Sequence, residues 1–182
     1  MAHLSESGIS IEKPTLAWSG VRAFLFQGLL IILAVALPAL AHLSGAPVRV
    51  LVPMHWVVIL AALVYGWRGG LLTAVSSPVI SFLLTGFPFS AMLPVMILEL
   101  AAYGFLAGFL RERFRLNPFL SVFLALLGGK AVYAVAGLIL YGALFSRPGY
   151  IISALAPGVV ASLLMIAVLP LIAGWWIRQE RK

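Results

Sequence analysis

The sequence contains no cysteine and only five acidic residues. Without cysteine the chain has no disulfide framework, no thiolate nucleophile and no cysteine metal site. Only one of the five glutamates lies in an apolar run, so no carboxylate cluster is available for a metal. A Walker A glycine loop is also missing, so we expect no cofactor on this chain, and any energy from ATP must come from partner subunits. The five acids are Glu6, Glu12, Glu99, Glu112 and Glu180.

Charge of either sign is scarce, and apolar residues dominate. Charged residues make up 9% of the chain and hydrophobic residues 63%, and the mean hydropathy is +1.14. A soluble core could not absorb this much apolar surface, so the composition indicates a membrane protein surrounded by lipid bilayer. The net charge of +7 comes from basic residues next to the apolar runs. That arrangement encodes membrane topology and argues against nucleic-acid binding.

Apolar runs of spanning length predict an all-α membrane bundle of six transmembrane helices. We place the membrane domain at residues 21–178, between an N-terminal tail or interfacial segment at 1–20 and a short C-terminal tail at 179–182. A tight turn at residues 67–70 should separate the second helix from the third. The predicted spans are 21–41, from about 51 to 66, 71–84, 93–113, 119–144 and 151–175.

The basic residues predict the orientation of this bundle. With six spans both termini lie on one side, and cations are concentrated there, whereas Arg49 and Arg147 are the cations of the other side. By the positive-inside rule, both termini are expected to be cytoplasmic. The cations of the terminal side are Lys13, Arg22, Arg68, Arg111, Arg113, Arg115, Arg178, Arg181 and Lys182.

Two charges inside predicted spans are candidates for a binding site. Glu99 would cost roughly 3 kcal/mol or more if it faced lipid, so it should point into protein or a water-filled cavity. Lys130 lies near the middle of the fifth span. Helical spacing places Tyr103 on the Glu99 side, and Tyr133 and Tyr141 on the Lys130 side. We expect these residues to line a pocket open to the outside; the alternative is a structural ion pair between Glu99 and Lys130.

Further polar residues could complete this pocket. Ser77 and Ser81, with Thr73, recur every four residues and form a hydroxyl stripe on one helix face. His55 and Trp56 lie at the outer end of the second span. Each feature has a structural alternative, because span serines often satisfy backbone groups and a His-Trp pair is a common interfacial anchor.

Small residues at four-residue spacing predict close helix contacts, within the chain or with a partner. They occur at Ala62, Gly66 and Gly70, and again at Gly104 and Gly108. The basic run 111–115 after the fourth span is either a topology signal or a docking loop for a cytoplasmic partner.

One block of the sequence resembles a known family. The motifs are PMHW at 53–56, GWRGG at 66–70, SSPVISFLLTGFP at 76–88 and LELAAYGFLAGFL at 98–110. They are similar to the substrate-binding S components of energy-coupling factor (ECF) transporters. The resemblance implies a subunit of the bacterial or archaeal cytoplasmic membrane that captures a vitamin-like solute from outside. It also implies a transmembrane coupling subunit and two cytoplasmic ATPases as partners.

The resemblance carries two further expectations. Loops after the first and fifth spans, here about 43–52 and 145–150, would close over the ligand. Members of the family often carry two alanines four residues apart in the first span for docking, and this chain departs from that pattern. Ala34 is followed by Pro38 and Ala41 by Gly45.

The function we expect is high-affinity capture of a solute without covalent chemistry, so we do not expect an enzyme. Lys130 would pair with an anionic group of the ligand and Glu99 would accept hydrogen bonds, while tyrosine rings supply contact area. Pantothenate, a pyridoxine relative or another small heterocycle would fit. The alternatives are an intramembrane enzyme that uses His55 and a span serine, and a small channel.

Overall fold

The structure is a computed structural model that describes residues 14–142, 149 and 156–182. Four parts of the sequence predictions lie outside these residues. They are the tail at 1–13, the end of the fifth span at 143–144, most of the loop 145–150, and the start of the sixth span at 151–155.

The described residues form helices and connecting segments without strands. Five of the helices are long and apolar enough to cross a membrane. The predicted all-α membrane class is therefore confirmed. The helices are α1 (Val21–Leu43), the short α2 (Val48–Leu51), α3 (Pro53–Thr85), α4 (Leu93–Phe114), α5 (Pro118–Tyr141) and α6 (Val159–Glu180), with a 3₁₀ turn at Ala156–Gly158 before α6.

Local sequence explains where several helices begin and end. Pro53 and Pro118 occupy first-turn positions, where a missing N–H is harmless. The side chain of Asn117 caps α5 by accepting a hydrogen bond from the Phe119 amide at 2.9 Å. Helix α3 ends at Thr85 and is followed by Gly86, whose φ of 75° favours glycine.

Helix α3 reverses direction at Gly66. This residue has non-helical dihedral angles, φ 73° and ψ −170°. A Cβ atom on Gly70 would lie 2.6 Å from the Cβ of Ala62. Residues eight apart in a continuous helix are separated by about 12 Å, so the chain must fold back between them. The predicted turn at 67–70 is wrong in position, because these residues are helical and the reversal falls at Gly66.

The second arm of α3, residues 67–85, packs closely on α4. A Cβ on Gly104 would lie 2.5 Å from the carbonyl oxygen of Gly70, and a Cβ on Gly108 would collide with the backbone of Gly66 and Trp67. The predicted small-residue contact is thus confirmed as a contact within the chain. It fixes the position of α4, on which Glu99 lies.

Contacts between distant residues define two ends of the bundle. At one, the terminal end, Arg22 in α1 pairs with Glu180 in α6 at 3.1 Å. At the other, the opposite end, the ring of His42 stacks on Phe87 with centroids 4.9 Å apart. The start of α1, the Gly66 reversal and the end of α4 all lie at the terminal end.

Residues 14–16, predicted as part of a tail, are bonded to the terminal end. The Leu16 amide donates to the Val64 carbonyl at 2.8 Å. The Arg111 guanidinium donates to the Pro14 carbonyl at 2.6 Å, and the Thr15 hydroxyl donates to Glu112 at 3.2 Å. We name residues 14–16 the strap.

Candidate functional site

Glu99 is the centre of a buried polar cluster between α4 and α5. The residue is 4% exposed. One of its oxygens, Oε1, accepts hydrogen bonds from Lys130 Nζ at 2.7 Å and from the Tyr103 hydroxyl at 2.7 Å. The prediction that Glu99 faces protein rather than lipid is confirmed. Its charge is balanced by Lys130, as the ion-pair alternative proposed.

His55 adjoins this cluster without joining it by a hydrogen bond. Its ring lies 5.2 Å from the Tyr103 ring, and its Nε2 is 3.8 Å from Glu99 Oε1, which is too long for a hydrogen bond. The side chain is 9% exposed. Neither ring nitrogen has a hydrogen-bond partner in the described part of the chain. His55 is therefore a buried imidazole with unused hydrogen-bonding capacity.

Lys130 reaches Glu99 from α5 and keeps part of its side chain accessible. The side chain is 28% exposed. Its ammonium group also lies 5.6 Å from the centre of the Tyr133 ring, which is within range of a cation–π contact. The predicted stripe of Lys130 and Tyr133 on one face of α5 is confirmed as a contact. Tyr141 is half-buried at the end of the same helix.

The predicted hydroxyl stripe divides into two parts. Ser77 and Ser81 are buried, and the Ser77 hydroxyl has no hydrogen-bond partner in the described residues. Thr73, in contrast, accepts a hydrogen bond from Gln27 Nε2 at 2.6 Å and donates to the Gly69 carbonyl at 2.9 Å. Thr73 therefore joins α1 to α3, as the structural alternative for span hydroxyls expects, and its place in a pocket stays a prediction.

Sequence reasoning missed Gln27, which is 1% exposed and also donates to the Gly69 carbonyl at 3.1 Å. The sequence feature that could have identified Gln27 is a lone amide in an apolar run, because such a group needs a hydrogen-bond partner inside the bundle.

Trp56 has a structural contact of its own. Its indole N–H donates to the Leu51 carbonyl at 2.9 Å, and its side chain is half-buried. This bond closes the connection between α2 and α3. The anchoring alternative therefore accounts for the contact of Trp56 that is seen.

The cluster lies nearer the opposite end of the bundle than the terminal end. His55 is in the first turn of α3, Glu99 is about 9 Å into α4, and Lys130 is about 17 Å from the end of α5 at 1.5 Å per residue. All three helix ends belong to the opposite end. The Glu99–Lys130 pair therefore lies between the opposite end of the bundle and the middle of its helices.

Two pockets elsewhere in the described residues do not include this pair. A groove of about 380 Å³ runs along α4 and α5 and is lined by apolar residues, including Leu98, Val132 and Ile139. A polar pocket of about 240 Å³ lies at the terminal end, with Arg22, Tyr65 and Glu180 in its wall. A ligand pocket at Glu99 and Lys130 therefore stays a prediction. Among the described residues, no three histidines or acids are grouped as metal ligands.

Fold and site together define a multi-pass helical membrane protein with a buried cluster of charged and hydrogen-bonding groups between α4 and α5. The chain belongs to the family of ECF transporter substrate-specific components, whose family model matches residues 21–174. Comparison with curated proteins and with solved structures gives no match. Membership makes this chain a substrate-specific membrane component of a transporter, in a family of binding subunits rather than enzymes. It implies a small solute, a coupling subunit and ATPases in general terms.

Proposed function

We propose that this protein is the high-affinity capture subunit of an ECF importer for a small vitamin-like solute. It would work with a transmembrane coupling subunit and two cytoplasmic ATPases, which use ATP, while binding no cofactor itself. The membrane would be the cytoplasmic membrane of a bacterium or archaeon. The observation that carries this proposal is the family match over residues 21–174. The buried cluster at Glu99 supplies polar groups where a solute could be recognised.

The proposal includes six spans with both termini in the cytoplasm. Counting the two arms of α3 on either side of Gly66 separately gives six helices of 13 residues or more in the described residues. Arg49 lies at the opposite end of the bundle, whereas most cations lie at the terminal end, which supports a cytoplasmic terminal end by the positive-inside rule. The cations at or near the terminal end are Arg22, Arg68, Arg111, Arg113, Arg115, Arg178, Arg181 and Lys182.

Within the site we assign different roles to bonded and unbonded groups. Glu99 and Tyr103 hold Lys130 in position, since their polar atoms already bond to each other. His55 and Ser77 would contact the solute. Leaving a buried polar group without a partner costs about 1–3 kcal/mol, and a ligand that hydrogen-bonds to it would offset that cost.

Other residues of the predicted site would serve as walls. Lys130 retains two N–H donors beyond its bond to Glu99, and its accessible fraction lets them reach a solute. Tyr133 and Tyr141 would supply ring surface along α5. Ser81 and Trp56 would lie at the outer rim, near the ends of the two arms of α3.

The pairing of Glu99 with Lys130 bears on the charge of the solute. Because the two charges cancel, a solute with a net charge would be buried without a compensating partner. We therefore favour a zwitterionic or uncharged heterocycle, such as a pyridoxine relative, over pantothenate, which carries a net negative charge.

Mass spectrometry of the small molecules that purify with the protein, followed by calorimetry with the identified compound, tests this function. We expect one dominant compound, bound with micromolar or tighter affinity and released unchanged. Chemical conversion of the compound that stops in a His55→Ala variant would instead support an intramembrane enzyme. No hydrogen bond joins His55 to a serine in the described residues. Passive solute flux in liposomes without ATPase partners would support a channel.

A further inference from the structure

The strap at residues 14–16 is held to the terminal end by groups from two different helices. Leu16 bonds to the Val64 carbonyl, which lies two residues before the reversal at Gly66. Pro14 and Thr15 bond to Arg111 and Glu112 near the end of α4. The strap thus connects the reversal in α3 to the end of α4. It also hydrogen-bonds to polar groups of both helices.

The closed strap leaves buried polar groups unsatisfied. The Trp18 indole N–H, two residues beyond the strap, is buried without an acceptor in the described residues. The Nε atom of Arg111, whose terminal nitrogen holds the strap, is also buried without a partner. Each unsatisfied donor destabilises the closed arrangement, because water would bond to it if the segment moved away.

Packing beneath residues 16–19, the end of the strap and the segment after it, is incomplete. The polar pocket of about 240 Å³ is lined by Leu16, Ala17 and Ser19 on one side and by Tyr65 on the other. The apolar side chains of Leu16 and Trp18 are only partly buried against the core. The segment therefore lacks the close packing that fixes the helices to one another.

A hinge lies between this segment and α1. Gly20 has a φ of 89°, and a Cβ added there would meet nothing within 4 Å. Glycine populates both signs of φ, so the segment can rotate at this residue while α1 stays in place. Hinges are commonly a few residues at the end of an element, which is where Gly20 lies.

We propose that residues 14–16 form a releasable strap, hinged at Gly20, that closes and opens over the end of α4 and the Gly66 reversal. Opening breaks the bonds of the strap to the Val64 carbonyl, the Arg111 guanidinium and the Glu112 carboxylate together. The proposal does not depend on the identity of the solute or on the site at Glu99.

Cysteine labelling of the full-length protein in detergent tests this proposal, because the sequence contains no cysteine. Thr15 is 5% exposed and Ala107 is 0% exposed, so both are protected while the strap is closed. If the strap opens, a Thr15→Cys variant should react with maleimide at least about tenfold faster than an Ala107→Cys variant. Exposed Ser19→Cys gives the upper limit. Equal rates for Thr15→Cys and Ala107→Cys would overturn the proposal.

Hydrogen exchange on the unmodified protein gives a second readout that no cysteine variant can compromise. The Leu16 amide should exchange at least about tenfold faster than the amide of Ala61 in the helix interior. Arg111→Gln removes the bond to Pro14 and should speed Leu16 exchange further. Arg113→Gln, at an exposed position whose side chain is not among the hydrogen-bond partners of the strap in the described residues, should not. A Leu16 amide as protected as that of Ala61, or the same response to both arginine variants, would contradict release.

Discussion

Lys130 donates a hydrogen bond at 2.7 Å to the same Glu99 oxygen that accepts the Tyr103 hydroxyl. The two charged residues are 31 positions apart in the sequence and belong to adjacent helices. Glu99 is therefore neutralised by its own chain. The ion pair joins α4 to α5 and also sets the electrostatic conditions for anything that binds beside it.

The coupling between these two charges should be visible in stability. Lys130→Met leaves the buried Glu99 carboxylate without its cation and should reduce the free energy of unfolding by about 3 kcal/mol. We take the lower end of the usual range because the Lys130 side chain is 28% exposed, so water screens part of the interaction. Thermal unfolding in detergent measures the effect.

The double variant Glu99→Gln with Lys130→Met is the control for this prediction. It removes both charges, so it should be less destabilised than Lys130→Met alone, by at least about 1 kcal/mol. Additive effects of the two substitutions would show that the pair is not coupled.

Removing the nitrogens of His55 should weaken solute binding without harming the fold. His55→Phe keeps an aromatic ring against Tyr103 and removes two buried nitrogens that have no hydrogen-bond partner in the described residues. We expect the affinity for the co-purified solute to fall at least about tenfold, or 1.4 kcal/mol. Calorimetry measures affinity, and the unfolding temperature should stay the same or rise.

His42→Phe is the matched control, because the His42 ring stacks on Phe87 and the proposed site does not include it. It should change affinity much less than His55→Phe. A His55→Phe variant that binds the solute as tightly as the unmodified protein would remove His55 from the site.

Substitution of the glycines at the crossing of α3 and α4 should destabilise the protein. An added Cβ at Gly104 would lie 2.5 Å from the Gly70 carbonyl oxygen, and one at Gly108 would meet the backbone of Gly66 and Trp67. Backbone atoms cannot move aside as a flexible side chain can. Gly104→Ala or Gly108→Ala should therefore destabilise the protein by about 1–3 kcal/mol.

Gly28 in α1 and Gly174 in α6 provide the comparison. A Cβ at either position meets nothing within 4 Å, so alanine should be neutral or stabilise by up to about 1 kcal/mol. Similar losses at crossing and open positions in thermal unfolding would mean that the close contact does not explain the crossing glycines.

The membrane orientation can be tested with the same cysteine-free background. Ser44 lies at the opposite end of the bundle and Gln179 at the terminal end, and both are exposed. In intact cells, an impermeant maleimide should label Ser44→Cys and leave Gln179→Cys unmodified until the membrane is opened. The reverse pattern would place the termini outside and contradict the proposed orientation.

The buried ion pair and the close helix crossing could both be anticipated from the sequence. A carboxylate in a spanning helix cannot face lipid, and Lys130 was the one cation in a neighbouring predicted span, so their meeting was an expected alternative. Small residues four apart likewise predicted a close crossing. The strap and Gln27 were missed because each forms hydrogen bonds that involve backbone carbonyls, which any sequence provides.

The sequence by itself determined the class of protein, because apolar length and scarce charge leave the bilayer as the only suitable solvent. It also located most helix boundaries through proline, glycine and interfacial charge. Only the tertiary structure decided that Gly66 reverses α3, that Thr73 bonds to Gln27, and that neither nitrogen of His55 has a hydrogen-bond partner in the described residues. Helical periodicity shows which residues share a face, whereas the neighbour of that face depends on how the helices pack.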